Sequence, residues 1–467
     1  MHNTSSLKPP SENIALSLAN FAYGLAQKDV PREVWNKSVH HIVDAVGLAF
    51  ASNNFPFAPP ALAGIRAAGG SGEATVIGND FGLSPRDAAL ANGYLIHGLD
   101  FDDTHPASIV HPTVACLPAA LALAEATDAT WGDMIVAYVA GMETAIRLGR
   151  AVKGGFHHVG FHATGIVSHF SSAVVAGKLL GLSVDQIVAA QGIAASTASG
   201  VQVFLEDGAW TKRMHPGWGA LAGITAAHMA KAGFSGPRRP YEGRFGLVDT
   251  HLQALASAVD ADSIADGLGR SWTMLDTSIK PFPICHFIHG CAEAALQVRH
   301  EIGSAAKIDS VVCELPAATL PIVAEPDHAK IKPKNDYEAK FSTQFVVAAC
   351  LIRGRFTLAE LDPASLEDPE ILELASKILC VAEDDTSFPR YFSGKVTVAL
   401  SNGRAVHAGV PINLGSGERA LAVEDIVAKF RGNAGIGQKE PHVNAVLDAL
   451  LSATPDTRVR AITTLLR

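Results

Sequence analysis

The spacing of apolar residues is helical almost throughout the range Glu12–Leu255, and this constrains the fold more than any other feature. Apolar residues recur at helical intervals over Val34–Ala51, and Ser183 begins a capping box ahead of a helix over Ile187–Ala198. Aromatic residues make up only 7% of the chain, whereas glycines number 42 and alanines are abundant. Small residues let helices pack closely where they cross. The sequence therefore predicts a large all-helical domain.

The pattern changes after Asp276, where strand signals join the helical ones. Ile308–Leu315 is typical of a strand, and Lys395–Leu400 with Arg404–Val410 predicts a hairpin because an Asn-Gly pair separates them. The helical pattern returns after Pro411, which indicates that the α+β segment is inserted into, or caps, the helical domain. The predicted architecture is mainly α, with a large all-helical domain over 1–272, a smaller inserted α+β lid domain over 273–411 and C-terminal helices over 412–467 that return to the helical domain.

The composition excludes several classes of protein. The chain has 467 residues, enough for two or three domains with real cores, and 48% of them are hydrophobic, which argues against disorder. The net charge of −9 makes nucleic acid a poor candidate for a partner. The longest apolar runs, near 45–51 and 115–124, are shorter than the roughly 20 residues that a membrane-spanning helix needs. We expect neither a nucleic-acid nor a membrane partner.

The cysteines and the N-terminal residues predict a cytoplasmic protein. None of the six cysteines forms a CxxC pair, and in a chain of this length they are typical of reduced, buried thiols. The N-terminal residues are polar and lack an apolar signal core. The cysteines are Cys116, Cys285, Cys291, Cys313, Cys350 and Cys380.

The segment best suited to chemistry is Asp100–Pro106 with His111, which places three carboxylates and two histidines within twelve residues. A helix is predicted just before it, since Ser84 suits its cap, Pro85 its first position and Gly98 its end. Carboxylates in a turn that faces the core lose their hydration, and an unpaired buried charge is costly. This segment, called the acidic run below, therefore predicts a ligand site at one end of the helical domain. The alternative is that its last two aspartates are solvated turn residues.

Three further blocks carry candidate site residues. His162 lies in a Gly-flanked turn before a helix over Ile166–Leu180, where the backbone can approach a ligand closely. Three basic residues precede a helix predicted over Gly217–Ala232, which favours an anion there. Lys280 lies in a Pro-flanked segment at the predicted domain junction. The three basic residues are Lys212, Arg213 and His215.

Other ionisable residues are interpreted as structural or solvated. The histidines in this group are His97, His105, His157 and His158. The lysines in it are Lys332 and Lys334, and Cys285 and Cys291 are expected to be core thiols.

A metal site is the main alternative for the acidic run. Asp and His clusters bind Mg²⁺, Mn²⁺ or Fe²⁺, but the spacing here is not DDxxD and no second Asp-rich motif follows. The chain has no GxGxxG motif, P-loop or GxSxG elbow. The sequence therefore predicts neither a metal nor a nucleotide cofactor.

Taken together, these blocks resemble the MmgE/PrpD family of dehydratases, decarboxylases and epimerases that act on small carboxylates. The resemblance extends over nearly the whole chain, in the family's order. It implies a helical domain with an inserted lid, a homodimer, no metal or organic cofactor, and a polycarboxylate substrate. The blocks are His97–Thr104 with His111-Pro112, Gly160–Gly165, Lys212–Gly217 and Lys280–Pro283.

The resemblance also implies roles for individual residues. His162 and Lys212 are expected to move the substrate's proton, and Asp100 to orient or hold one of them. The residues expected to bind substrate are Thr104, His111, Lys280, Arg213 and His215.

The predicted reaction is the loss of water from a small di- or tricarboxylate such as 2-methylcitrate, by proton abstraction next to a carboxylate. The decarboxylases carry a Tyr ahead of the segment that matches Glu338–Ser342, whereas the nearest candidate here is His328, which argues against cis-aconitate decarboxylation. The block from Asp100 to Pro112 also departs from that of the 2-methylcitrate dehydratases, so the subfamily stays open. Three alternatives stay open: decarboxylation of the cis-aconitate type, epimerisation of an imino- or amino-dicarboxylate, and a metal-dependent lyase or hydrolase.

Overall fold

The computed structural model describes residues 13–303, 307–384 and 386–467, and the chain divides into two compact units. The first runs up to Thr277 and resumes over Val423–Arg467, and the second is Ser278–Ala422. The seams predicted after residues 272 and 411 lie five and eleven residues before these divisions. Most of the polar N-terminal segment, residues 1–12, lies outside the described residues.

The first unit is built from helices, with one short antiparallel ribbon formed by β1 (Ser71–Thr75) and β2 (Gly82–Leu83). Its helices before residue 278 are α1 (Ile14–Gly24), α2 (Arg32–Ser52), α3 (Ala58–Ala68), α4 (Pro85–His97), α5 (Thr113–Ala126), α6 (Trp131–Ala151), α7 (Gly155–His158), α8 (Ala163–Leu179), α9 (Val184–Ala195), α10 (Thr211–Lys231), α11 (Leu247–Leu252) and α12 (Asp262–Ala265).

Local sequence signals fix several of these helix ends. The helix α4 begins at Pro85, directly after Ser84, and ends at His97, directly before Gly98, as predicted. The capping box of α9 is also present, since the Ser183 side chain accepts from the Gln186 amide. A hydroxyl that satisfies an otherwise unpaired amide defines where a helix starts.

The helices α4, α8 and α10 cross at glycines. A Cβ on Gly93 of α4 would lie 2.6 Å from the Gly217 Cα of α10, and a Cβ on Gly219 would lie 2.4 Å from the Ser168 Cβ of α8. Such distances leave no room for a side chain, so these backbones are in direct contact. Close crossing brings the ends of the three helices together, and those ends carry the candidate site.

The predicted start of α10 is wrong. The helix begins at Thr211, six residues before Gly217, and continues through Pro216. A proline inside a helix normally costs stability because it removes an N–H and crowds the preceding turn. Here the close packing at Gly217 holds the helix in place. The three basic residues therefore lie in the first turns of α10 and not ahead of it.

The second unit combines helices with a four-stranded sheet of order β4-β3-β5-β6. The strands β3 and β4 pair in parallel and the other two pairs are antiparallel. Its helices are α13 (His289–Ile302), α14 (Leu320–Val323), α15 (Asp327–Ile331), α16 (Asp336–Lys340), α17 (Thr343–Arg353), α18 (Pro363–Leu366) and α19 (Pro369–Ala375). Its strands are β3 (Ile308–Pro316), β4 (Ile378–Glu383), β5 (Gly394–Leu400) and β6 (Ala405–Val410).

The predicted hairpin is confirmed as β5 and β6, and Gly403 in its turn has a φ of 83°. The helices α20 (Val423–Ala434), α21 (Glu440–Ser452) and α22 (Val459–Thr463) then return to the first unit. The mainly α fold class is confirmed, and the role of the second unit as a lid stays a prediction. Within the described residues, no helix combines the length and the apolar character needed to cross a bilayer.

Candidate active site

The three carboxylates of the acidic run are buried. Asp100, Asp102 and Asp103 are 3%, 1% and 2% exposed, so the alternative of solvated turn residues is wrong. Asp100 has a φ of 52°, a left-handed conformation that aspartate tolerates better than most residues. Its Oδ2 atom lies 2.9 Å from the Nζ atom of Lys212. This ion pair joins the segment after α4 to the first turn of α10.

Asp102 holds two imidazole rings. Its Oδ2 atom lies 2.9 Å from His97 Nδ1 and 3.2 Å from His111 Nδ1. Burial alone would raise the pKa of Asp102, but the neighbouring His97 and His111 hold it well below its usual range. The side chain is therefore a carboxylate that orients the two rings.

Asp103 contacts three residues, one of which, His111, belongs to the site. Its Oδ2 atom accepts a hydrogen bond of 2.5 Å from the Thr113 hydroxyl and lies 3.1 Å from His41 Nδ1. Its main-chain carbonyl accepts from His111 Nδ1 at 2.7 Å. Because a carbonyl can only accept, His111 carries its proton on Nδ1.

A short backbone bridge positions His162. The residue is the N-cap of α8, and its amide donates to the Gly200 carbonyl at 2.7 Å. Phe161 pairs with Val201 in an isolated antiparallel bridge, and Gly160 adopts a φ of 94° in the turn before it. The Gly-flanked turn predicted from the sequence thus fixes the histidine at the start of a long helix.

Imidazole rings surround His162. Its ring centroid lies 5.6 Å from that of His97 in a stacked arrangement, 6.2 Å from those of His111 and His157, and 5.4 Å from that of His215. The Nδ1 atoms of His162 and His215 are 3.2 Å apart. The structure therefore gathers five histidines from four separate segments.

The rings of His162, His157 and His215 are neutral. Burial, followed by the nearby Lys212 ammonium, lowers the pKa of His162 well below its usual range. Burial also lowers the pKa values of His157 and His215 to about 4, with His111 and His97 respectively as the next causes. At neutral pH these imidazoles carry no charge, so Lys212 supplies the positive charge beside them.

Three helix N-termini meet around this cluster. The helix α5 begins at Thr113, two residues after His111, α8 begins directly after His162, and α10 begins one residue before Lys212. The His111 amide also donates to the hydroxyl of Thr164, in the first turn of α8, at 3.1 Å. Helix N-termini carry partial positive charge, so this arrangement favours an anion without requiring charged histidines.

The remaining predicted site residues have different positions. The Thr104 hydroxyl lies 3.2 Å from His111 Nδ1, at the edge of the cluster. The Arg213 Nε atom donates to the Gly98 carbonyl at 2.7 Å, and its guanidinium lies 4.3 Å from the centre of the Phe57 ring. The predicted roles of Thr104 and Arg213 in substrate binding stay predictions. Lys280 is buried in the second unit, and its role in substrate binding stays a prediction.

The sequence interpretation missed two histidines of the cluster. His97 and His157 were assigned structural or surface roles, but both rings lie around His162. The available signal for His97 was its place in the last turn of α4, directly before the acidic run. The signal for His157 was its place five residues before His162, since the Gly160 amide donates to the His157 carbonyl and the turn brings the two rings together. His158 is exposed, and the His105 ring contacts Ser108, three residues away, as the structural interpretation expected.

One group among the described residues has the geometry of a metal site. His97, Asp102 and His111 each offer an atom within 4.8 Å of the others. The Nδ1 atoms of His97 and His111 contact the Asp102 carboxylate, and His111 Nδ1 carries a proton. A cation at these atoms would have to displace hydrogen bonds that already exist, so the Nδ1 atoms suit hydrogen-bonded imidazoles better than metal ligands.

Two sequence patterns of one family match this chain. The pattern of the MmgE/PrpD N-terminal domain matches residues 16–257, and that of the MmgE/PrpD C-terminal domain matches residues 282–452. The first covers the helices that build the site, and the second covers most of the second unit and part of the C-terminal helices.

Curated relatives match over most of their length. The chain is 30% identical to the human cis-aconitate decarboxylase over 436 residues, which is 91% of this chain and 88% of the relative. It is 26% identical to a cis-aconitate decarboxylase of Aspergillus terreus, over 94% of this chain and 93% of the relative. It is 25% identical to the 2-methylcitrate dehydratase of Salmonella typhimurium, over 77% of each chain.

Proposed function

The chain belongs to the MmgE/PrpD family, and from this premise we propose that it is a lyase that moves a proton at a carbon next to a carboxylate of a small di- or tricarboxylate. The observation that carries the proposal is the buried arrangement of Lys212 beside the neutral ring of His162, at the meeting point of three helix N-termini. Such a site offers positive potential for carboxylates and an uncharged imidazole for the proton.

Substrate binding and proton transfer are coupled in this site. Without substrate, burial and the Lys212 ammonium keep His162 from taking up a proton. A bound polycarboxylate brings several negative charges close to both groups, and nearby negative charge raises the pKa of an imidazole. His162 therefore becomes an effective base only when substrate is present. Asp100 holds the Lys212 side chain through the contact of 2.9 Å, so the ammonium is fixed before substrate arrives.

Two reactions fit this chemistry. Dehydration of a 2-methylcitrate-like substrate needs a base for the carbon-bound proton and an acid for the departing hydroxyl group. Decarboxylation of a cis-aconitate-like substrate needs a cation beside the carboxylates and an acid that protonates the carbanion left behind. The greater coverage of the decarboxylase relatives supports the second reaction as a candidate beside the first.

The proposal is tested by incubating the purified protein with a panel of di- and tricarboxylates in D₂O and recording ¹H NMR spectra. A new alkene with retention of all carboxylates identifies dehydration, and loss of one carboxylate with deuterium in the product identifies decarboxylation. Deuterium exchange without net loss of water or CO₂ would overturn the lyase assignment in favour of an epimerase. A protein that leaves every acid of the panel unchanged, while a family enzyme run in parallel is active, would overturn the proposal.

We further propose that the protein acts as a homodimer in the cytoplasm. Six apolar side chains near the start of α10 are between 39% and 56% exposed, more than a monomer normally leaves in one place. A second copy that packs against this surface would cover them. They are Val201, Val203, Leu205, Trp210, Met214 and Trp218. The free cysteines support a reducing compartment.

Light scattering after size exclusion tests the dimer. We expect twice the chain mass for the native protein and a single chain mass for Trp218→Glu. The matched control is Phe245→Glu, because Phe245 is 78% exposed but lies outside this surface. A monomeric native protein would rule out the homodimer.

A further inference from the structure

The closest contact of His162 with another ring is with His215. Their Nδ1 atoms are 3.2 Å apart, and the ring planes are inclined by 42°. Both side chains are buried, with exposures of 3% and 7%. Two neutral imidazoles can form this contact in one way only: one nitrogen carries a hydrogen and donates it, and the other is bare and accepts.

We propose that His162 and His215 share a single proton between their Nδ1 atoms, and that His215 is thereby the positioning residue that sets the tautomer in which His162 meets substrate. The shared hydrogen resides on His162, which leaves His162 Nε2 bare. His215 carries its own hydrogen on Nε2. This inference rests on the proposed function only for its consequence in catalysis, since the proton arrangement itself needs no substrate.

Backbone contacts hold the two rings at this separation. The His162 amide donates to the Gly200 carbonyl, and a Cβ on Gly200 would lie 3.1 Å from His215 Nδ1. Gly165 lies next to Gly200, and a Cβ on Gly165 would approach the His215 Cβ to 3.2 Å and the Gly200 Cα to 3.4 Å. Gly200 therefore anchors one histidine and contacts the other, so the distance between the rings follows from the backbone.

The hydrogen-bonded pair of His162 and His215, called the histidine couple below, differs from a histidine held by a carboxylate. A carboxylate partner stabilises the imidazolium and raises the pKa of its histidine, as Asp102 opposes the effect of burial on His97. A neutral partner fixes the ring and tautomer without adding negative charge. His162 can then return the proton it has taken, because His215 adds no negative charge beyond that of the substrate to stabilise its conjugate acid.

The proton transfers balance in this arrangement. In the forward step the C–H bond of the substrate breaks, its electron pair stays on carbon, and the proton joins His162 Nε2. The hydrogen on His162 Nδ1 moves towards His215 Nδ1, which spreads the positive charge over both rings. In the return step the proton on Nε2 passes to the departing hydroxyl group or to the product carbon, and the hydrogen between the Nδ1 atoms returns to His162.

The sequence interpretation placed His215 among the substrate-binding residues. In the couple its Nδ1 atom is engaged by His162, so only Nε2–H is left to meet a ligand. The two roles make different predictions for substitutions. A residue that sets a tautomer changes kcat, whereas a residue that only binds substrate changes KM.

Nitrogen NMR tests the couple directly in the substrate-free protein. Long-range ¹H–¹⁵N spectra of protein labelled in histidine distinguish protonated from bare ring nitrogens, and His162→Gln and His215→Asn assign the signals. His169 is an internal reference, because its Nδ1 donates to the Gly165 carbonyl at 2.8 Å and must be protonated. We expect an Nδ1–H tautomer for His162 and an Nε2–H tautomer for His215 at pH 7.5. The same tautomer on both rings, or an imidazolium on either, would overturn the inference.

Kinetics of two matched variants then test the consequence. In His215→Asn the amide oxygen replaces Nδ1 as acceptor, whereas His215→Leu has similar volume and no acceptor. We expect His215→Asn to retain kcat within about 10-fold and His215→Leu to lose about 100-fold or more, with KM changed less than about 3-fold in both. Equal losses of kcat in the two variants, or a rise in KM alone, would overturn the positioning role. A protein with the expected tautomers but no activity on any acid would instead refute the proposed function and leave the couple intact.

Discussion

The Lys429 Nζ atom lies 2.7 Å from Asp44 Oδ1, and both side chains are buried. The same ammonium donates to the Phe101 carbonyl at 2.8 Å and lies 3.8 Å from the centre of the Phe101 ring. Phe101 belongs to the acidic run, so one lysine of the C-terminal helices is tied both to α2 and to the segment that carries the site. The chain after the second unit therefore completes the support of the site.

We expect Lys429→Met to destabilise the protein by about 3–5 kcal/mol, because it leaves the Asp44 carboxylate buried without its cation. Urea unfolding followed by circular dichroism measures the loss. The double variant Asp44→Asn with Lys429→Met should lose less than Lys429→Met alone, since no charge is then left unpaired. The control is Arg238→Met, which breaks the exposed pair with Asp185 and should cost about 0.5 kcal/mol or less. A loss of similar size for the buried and the exposed pair would contradict this interpretation.

Removing either proposed proton-transfer group should abolish most of the turnover without unfolding the protein. For His162→Gln and Lys212→Met we expect kcat to fall by a factor of about 10²–10⁴, the usual contribution of a positioned acid or base. The measurement is steady-state kinetics with the acid that the panel identifies, with circular dichroism as the check on folding. His158→Gln is the matched control, because His158 is exposed and lies outside the cluster. Full activity in His162→Gln or Lys212→Met would refute the role of that residue.

Adding one methyl group at Gly200 should disturb the histidine couple while both imidazole side chains are retained. The new Cβ would lie 3.1 Å from His215 Nδ1, and the φ of 142° disfavours any side chain there. We expect Gly200→Ala to lower kcat by roughly 10-fold or more, because small displacements of a catalytic geometry are costly. Gly160→Ala is the control, since its φ of 94° is also unfavourable but no atom lies within 4 Å of its Cβ. Equal losses in the two variants would assign the effect to backbone strain alone.

Local signals predicted those parts of the fold whose cause is local. The boundaries of α4 coincide with the predicted Ser84, Pro85 and Gly98, although the Ser84 hydroxyl donates to the Asp87 carboxylate and does not cap a backbone amide. The hairpin follows from its Asn-Gly turn. The start of α10 was missed because Pro216 normally opposes a helix, whereas here a close crossing at Gly217 keeps it helical. A contact between helices far apart in the sequence leaves no trace in the local pattern, so such an exception cannot be predicted from it.

The candidate site shows the same difference between features with a local cause and features that depend on contacts distant in the sequence. Three features stand out in the sequence: the acidic run, His162 and Lys212. Buried charges are costly unless they are paired, and a Gly-flanked turn lets the backbone approach a ligand closely. Their partners do not stand out, because a pair such as Asp100 and Lys212 is formed by residues 112 positions apart. The position of His97 beside His162 is not evident from the sequence, since the last turn of an Ala-rich helix is an ordinary place for a structural histidine.

Removal of metal ions should leave the protein active and folded. In the only candidate metal group of the described residues, the Nδ1 atoms of His97 and His111 contact the Asp102 carboxylate, and His111 carries a proton on Nδ1. We therefore expect unchanged kcat and an unchanged melting temperature after dialysis against EDTA, with less than about 0.1 metal ion per chain by mass spectrometry, since a cation at these nitrogens would have to displace the hydrogen bonds that they form with the carboxylate. Stoichiometric metal, or activity that is lost with EDTA and restored by one divalent ion, would favour the metal-dependent lyase or hydrolase.

Stability should fall as the pH drops below about 6.5, the ordinary pKa of histidine in an unfolded chain. Burial lowers the pKa values of His157, His169 and His215 to about 4 and that of His105 to about 3. Between pH 6.5 and these values the unfolded chain binds protons that the folded protein rejects, so the free energy of unfolding decreases with falling pH by up to about 1.4 kcal/mol per pH unit for each such histidine. Asp44 acts in the opposite direction below about pH 6, because burial raises its pKa to about 6, but it is one group against several.

Urea unfolding at pH 7.5, 6.5 and 5.5 measures this dependence. We expect little change between the two higher values and a clear loss at pH 5.5. His169→Gln should flatten the slope, because it removes one titrating group that lies outside the proposed proton-transfer couple while an amide can still donate to the Gly165 carbonyl. Stability that stays level or rises as the pH falls to 5.5 would mean that the buried histidines accept protons in the folded protein, and the neutral imidazole cluster around His162 would then have to be abandoned.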